Sequence, residues 1–264
     1  MKRALSVAFS ILMLYSLLLL ITVGTIKAAN PDYTRLEYPT LVEPTVDGMW
    51  TSDDEWTDGN VTMIGENVAF RSTWSQEVWL NVTSQFIIEI LNDNTNDTGD
   101  YWQICIDGTL DGGNTPMTDD FRIDVVGHTN LTVYQGNVLS WTEVTPEAGE
   151  LSFAESISAS PTSSTPHWIA EFTIDKTAGV ILTSGAAHGL RVAVYDESNS
   201  AAGVQAWPPL SDRDVPNQWG YNYYSEDPIP EGLSFGVMVL LSSVSVLIAS
   251  HYFRKRSSSG KREK

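Results

Sequence analysis

The chain reads as an all-β protein, an antiparallel β-sandwich ectodomain followed by one C-terminal transmembrane helix. Three observations predict this. Short runs alternate apolar and polar residues with the period of a strand. Turn residues separate the runs, as at Asp107-Gly108, Asp111-Gly112-Gly113 and Gly136-Asn137. The region between the chain's two apolar ends holds no long amphipathic helix and no internal repeat.

The alternating runs are residues 68–74, 78–82, 86–90, 101–106, 121–126, 131–134, 168–174 and 190–195. They are rich in Val, Ile, Phe, Tyr and Trp, which fit a pleated, half-buried surface. Only residues 175–182 suit a short helix, and residues 157–166 form a loop. Together the runs make one sandwich from about Tyr38 to Tyr224.

The two ends bracket this region. Lys2-Arg3, an apolar run over 4–23 and the small residues Ala28-Ala29 have the layout of a secretory signal peptide, or of a signal anchor if uncleaved. Residues 233–250 carry no charge, and Arg254-Lys255-Arg256 follow soon after. About 20 apolar residues cross a bilayer as a helix. The expected organisation is a leader over 1–29, an ectodomain over 30–229, a transmembrane helix over 230–253 and a basic cytoplasmic tail over 254–264. Basic flanks stay in the cytoplasm, so the ectodomain faces outward from the cell membrane. Pro228-Ile229-Pro230-Glu231-Gly232 ahead of the span resembles the C-terminal sorting signals of prokaryotic surface proteins, archaeal ones included. That resemblance leaves both a processed and a retained anchor open.

Composition narrows the partners. Residues 30–230 contain six basic side chains (Arg35, Arg71, Arg122, Lys176, Arg191 and Arg213) against 31 acidic ones, a net charge of −25. Nucleic acid and anionic lipid surfaces need clustered cations, so neither is expected. Cys105 is the single cysteine, which excludes an internal disulfide, and its strand-like surroundings suit a buried thiol. Sequons at Asn60, Asn81, Asn96 and Asn130 allow N-glycosylation on the outer face.

A series of motifs then resembles the family 9 carbohydrate-binding modules and their DOMON-like relatives. Val46-Asp47-Gly48 and Asp54-Glu55-Trp56 resemble the opening of that family, and Glu77-Val78-Trp79-Leu80-Asn81-Val82 its early strand. Ile106-Asp107-Gly108 with Asp119-Asp120-Phe121-Arg122-Ile123 resembles its acidic loop. His167-Trp168-Ile169-Ala170-Glu171-Phe172-Thr173-Ile174 resembles a later strand, except that Thr173-Ile174-Asp175 lacks the family's proline. Gly189-Leu190-Arg191-Val192-Ala193-Val194-Tyr195-Asp196 and Gln218-Trp219-Gly220 complete the order. The resemblance implies a non-catalytic sandwich that binds glycan or polysaccharide, commonly with calcium. Some relatives bind haem instead.

Three constellations bear on chemistry. Asp107, Asp111, Asn114, Asp119 and Asp120 lie close together among glycines, a donor set suited to a structural calcium ion or to a hydrated hairpin loop. Trp102, Trp141 and Trp207 sit near strand ends or in loops, where an indole face can stack on a sugar ring. Trp56, Trp79 and Trp168 suit the core, and Trp219 a structural position. His128, His188, Met63 and Met117 are the axial ligands a haem would have to use. No nucleophile–base motif is present, so no enzyme activity is expected. A structural or adhesive surface protein without a small-molecule site is the alternative to glycan recognition.

Overall fold

The computed structural model describes residues 29–225 except 53, 77–81, 177–178, 182 and 184–186. The expected leader up to residue 28, the transmembrane span and the basic tail, together with Trp79 and Asn81, lie outside these residues. Among the described residues no helix is long and apolar enough to cross a membrane.

The described residues form thirteen strands: β1 (Asn30–Pro39), β2 (Thr62–Ile64), β3 (Val68–Gln76), β4 (Val82–Ile90), β5 (Tyr101–Asp107), β6 (Asp120–Val126), β7 (Asn130–Gly136), β8 (Trp141–Val144), β9 (Leu151–Ser158), β10 (His167–Asp175), β11 (Ala187–Tyr195), β12 (Gln205–Trp207) and β13 (Gly220–Tyr224). They follow one path, β8-β7-β6-β5-β11-β13-β1-β3-β4-β10-β9, with β12 on β11 and β2 on β3. The path curls at β1. Residues from Asn30 to Glu37 pair with β13, and Tyr38 and Pro39 pair with Thr73 and Trp74 of β3. The two layers enclose one apolar core.

Alternation explains which side chains fill that core. Phe86, Ile88 and Ile90 of β4 and Trp168, Ala170, Phe172 and Ile174 of β10 point inward from one layer. Trp102, Ile104 and Ile106 of β5 and Leu190, Val192 and Val194 of β11 point inward from the other. Phe70 of β3 and Trp207 of β12 meet across the gap with ring centroids 5.8 Å apart.

Three expectations are corrected. The sandwich begins at Asn30, not near Tyr38. β1 is hard to see in sequence because its inward residues include Arg35 and Glu37, both buried, so its apolar alternation is broken. Its pairings with β13 and β3 are parallel, so the sandwich is not wholly antiparallel. A parallel pair needs a long connection, and here most of the domain lies between β1 and β13. The third correction concerns the helix expected over 175–182. Asp175 closes β10, and the described positions 179–181 form a bend.

The outer face of the β3–β4–β10–β9 layer is covered by the loop between β1 and β2. Glu171 of β10 holds that loop down. Its Oε2 accepts the backbone N–H of Asp47 at 2.9 Å and of Gly48 at 2.8 Å, and its Oε1 accepts Trp56 Nε1 at 2.9 Å. Trp56, Ile87 and Ile169 pack beneath the loop, with Trp50 beside them. Glu55 stiffens the loop by accepting the N–H groups of Thr45 and Thr51, each at 2.7 Å. Gly48 has φ +79, and a Cβ there would lie 2.4 Å from the backbone of Glu155. Only glycine fits this approach. The motifs at 46–48, 54–56 and 167–174 are therefore one tertiary contact.

Burial raises the Glu171 carboxyl to about 7, against the three donors that pull it down. The folded protein thus holds this proton more tightly than the unfolded chain. The associated stabilisation is complete below about pH 4 and is lost as the pH rises through about 7. Wild-type Tm is expected to fall more steeply than that of Glu171→Gln between about pH 5 and pH 8. Identical pH slopes by calorimetry would show that Glu171 does not titrate in this range. Glu171→Ala, which strips all three donors of their acceptor, should cost on the order of 3 kcal/mol.

Candidate functional site

With one outer face covered, the outer face of the β8–β7–β6–β5–β11 layer becomes the place to look for a site. Register carries Tyr134, Arg122, Cys105 and Arg191 into one row across β7, β6, β5 and β11. The next row holds Thr132, Asp124, Gln103 and Ala193. These positions alternate with the core residues Val133, Ile123, Ile104 and Val192, which is why they face away from the core.

The floor of this face is a connected polar network. Arg191 donates from Nε to Ser211 O at 3.0 Å, and from Nη1 to Gln103 Oε1. Gln103 Nε2 donates to Asp124 Oδ1 at 2.8 Å. Arg122 Nε lies 3.0 Å from Asp124 Oδ2. The Arg122 guanidinium also sits 4.0 Å from the centroid of the Tyr134 ring and 5.1 Å from that of Trp141. Cys105 sits in the same row but is fully buried, and burial pushes its thiol up to about 12, so it is an inert structural thiol. Beside the network a cleft of about 370 Å³ opens, lined in part by Tyr101, Gln103, Arg191, Leu210, Ser211 and Arg213. Fixed guanidinium and amide groups beside aromatic rings can bond hydroxyls and stack on C–H faces. Three of the six cations within residues 30–230 (Arg122, Arg191 and Arg213) gather here.

The three tryptophans named for ligand binding take different places. Trp141 of β8 is half-buried at this face. Its Nε1 donates to Asp214 Oδ1 at 2.6 Å, and its ring stacks near-parallel to Trp219 with centroids 6.4 Å apart. Trp102 is 1 % exposed and donates to Glu155 Oε2 at 2.8 Å. Trp207 is 8 % exposed and belongs to the core. Its ring lies against Gly220, where a Cβ would come within 2.5 Å of it. Trp102 and Trp207 therefore present no face to a ligand. Both occupy inward register positions, opposite Val194 and Val192 of β11.

The acidic loop converges in part. Asp107, Asp111 and Asp119 bring carboxylate oxygens within 4.8 Å of one another. Asp107 Oδ2 accepts the Gly112 N–H at 2.9 Å, while its buried Oδ1 has no donor among the described residues. Asp120 is outside this trio but is equally buried, and its Oδ1 lacks a donor among the same residues. Asn114 Oδ1 accepts a bond from Asn217 Nδ2 at 3.3 Å. Burial, with the neighbouring aspartates adding to it, raises Asp107 to about 6 and Asp120 to about 8. The donor set and the unmatched oxygens fit a divalent cation.

A second trio has no counterpart in the sequence patterns. Asp93, Asp100 and Asp196 also bring oxygens within 4.8 Å of one another, and all three are buried. Asp196 lies far along the chain from Asp93 and Asp100, so local spacing carries no sign of the set. Asp100 is shared with His128, whose Nε2 lies 3.1 Å from Asp100 Oδ2 and whose ring stacks 3.8 Å from that of Trp168. His188 is fully buried, 3.2 Å from Asn222 Nδ2. Both histidines considered for haem are thus engaged inside the protein. Of the sequon asparagines, Asn60, Asn96 and Asn130 are exposed.

No family model matches the chain, and no curated protein matches it. Among solved structures, a family 9 carbohydrate-binding module from Caldicellulosiruptor kristjanssonii in complex with cellotriose is 15% identical, with a TM-score of 0.44, over 74% of this chain and 98% of that one. A family 9 module from the same organism in complex with glucose is 14% identical, with a TM-score of 0.42, over 74% of this chain and all of that one (100%).

The core position of Trp207 makes a direct prediction. Trp207→Ala should lose about 3–5 kcal/mol of stability in denaturant unfolding. A variant as stable as wild type would return Trp207 to the surface.

Proposed function

We propose that the domain is a non-catalytic glycan-binding module displayed on the outside of the cell membrane. One observation carries the reading: Tyr101 lines a cleft with fixed guanidinium and amide groups, and on the same sheet face the Tyr134 ring and the half-buried Trp141 lie against Arg122, which the Asp124 carboxylate joins to that network. The ordered resemblance to family 9 modules supports it from the sequence side. The basic flanks at Lys2-Arg3 and Arg254-Lys255-Arg256 support the outward topology. A structural or adhesive surface role is the second reading, favoured by the exposed sequon positions Asn60, Asn96 and Asn130.

A glycan array of the purified chain tests the first reading, with Trp141→Ala alongside. Selective binding is expected, weakened at least about tenfold in Kd by the substitution. An unchanged Kd for Trp141→Ala would remove this face as the binding site. Wild type binding no glycan would favour the structural role.

A structural calcium ion at the acidic loop belongs to the same reading. Asp107, Asp111 and Asp119 would hold it, and its charge would answer the unmatched oxygens of Asp107 and Asp120. An ion that binds only the folded state stabilises it, by about 2.7 kcal/mol at a concentration 100 times its Kd. Chelator should therefore lower Tm, and Asp107→Asn should lose most of the calcium response. A melting curve that ignores both chelator and added calcium would leave a hydrated loop.

A further inference from the structure

The interior holds a second set of groups that neither the core nor the glycan face uses. Lys176 directly follows β10 and is fully buried, at 0 % exposure. Its Nζ has no hydrogen-bond partner among the described residues and lies 4.7 Å from the centroid of the Tyr224 ring. Glu37 of β1, His188 of β11 and Asn222 of β13 are also at 0 % exposure. Asn222 Nδ2 donates to Glu37 Oε2 and lies 3.2 Å from His188 Nε2. Asn222 Oδ1 and Glu37 Oε1 have no partner among the described residues. Glu37 is the opposite charge that acts on Lys176, and Lys176 is the charge that acts most on His188. The Tyr224 ring beside the Lys176 amine also lies 5.3 Å from the His188 ring, so amine, carboxamide and carboxylate are buried around the same side chains.

As packing, this arrangement is poor, because a buried ammonium carries three donors that need acceptors. As a set of reactants it is complete. We propose that Lys176 and Asn222 join in an intramolecular isopeptide bond, with Glu37 relaying the proton. The neutral Nζ attacks Asn222 Cγ, and the Nζ–Cγ bond forms as the carbonyl electrons move to Oδ1. Glu37 takes a proton from Nζ and passes it to Nδ2. The Cγ–Nδ2 bond then breaks, the carbonyl reforms and ammonia leaves. One primary amine and one primary amide become one secondary amide and ammonia, so no oxidant, cofactor or activated donor is needed.

The surroundings favour each step. Burial lowers the Lys176 ammonium to about 8, which makes the nucleophilic amine accessible near neutral pH. The bond from Asn222 to Glu37 places the carboxylate beside the leaving nitrogen. The product is an uncharged amide, so the reaction relieves the burial of the amine. It would also give the ectodomain a covalent tie that its lone cysteine cannot provide.

Proteolysis and tandem mass spectrometry of the purified full-length chain test this independently of any glycan. A branched peptide is expected, joining the segments around Lys176 and Asn222 and lighter than their sum by one ammonia. Trypsin should fail to cut after Lys176. Glu37→Gln, which keeps the shape of the side chain, should yield the two segments as separate linear peptides. Linear peptides from the wild-type chain would overturn the bond. A branched peptide in Glu37→Gln would overturn the relay assigned to Glu37.

Discussion

Burying a carboxyl group without partners is costly, and the sandwich buries one at Glu171 where three donors converge on it. Those donors belong to the loop between β1 and β2, so matching the carboxyl group fastens the loop across one layer. The consequence is asymmetric. The β3–β4–β10–β9 layer carries apolar residues on both faces and is closed, with Ile87 and Ile169 under Trp56. The other layer keeps a polar outer face, and its strands can carry arginine, glutamine and aspartate there without loss of core. Where this protein can meet a ligand follows from which face its own loop occupies.

The strands legible in the sequence are those whose inward residues are mainly apolar. β3, β5, β6, β10 and β11 alternate cleanly, and the structure has them with similar bounds. The strands that escape a sequence reading are short or carry polar residues inward. β1 hides Arg35 and Glu37, and β13 hides Asn222. β2 and β12 span three residues each, too few to show a period. The family-like motifs mark positions that matter, but spacing alone cannot say that Asp47, Gly48, Trp56 and Glu171 touch one another.

The candidate site is less legible for a related reason. Trp102, Trp141 and Trp207 look alike in sequence, since each lies near a strand end. Their fates differ by register parity: Trp102 and Trp207 oppose core valines of β11, while Trp141 pairs with Gly136 at the edge of the layer. One residue of slip would exchange those outcomes. The polar row of Arg122, Cys105 and Arg191 exists only once β6, β5 and β11 are aligned, so no window of sequence contains it. The acidic loop is easier to find, because its aspartates are neighbours along the chain. The trio of Asp93, Asp100 and Asp196 is hidden because its third member lies far along the chain from the other two.

The parallel ladder between β1 and β13 has a mechanical meaning. The chain enters this ladder at Asn30, paired with Gly220, and leaves it at Tyr224, paired with Glu37. Entry and exit therefore lie at opposite ends of the ladder. Tension applied between them runs along the strands, and the bonds of the ladder share the load in shear. In a hairpin pulled at its open end, the bonds would instead break in succession. A domain with its ends so arranged yields to a pull only when the ladder gives way as a unit.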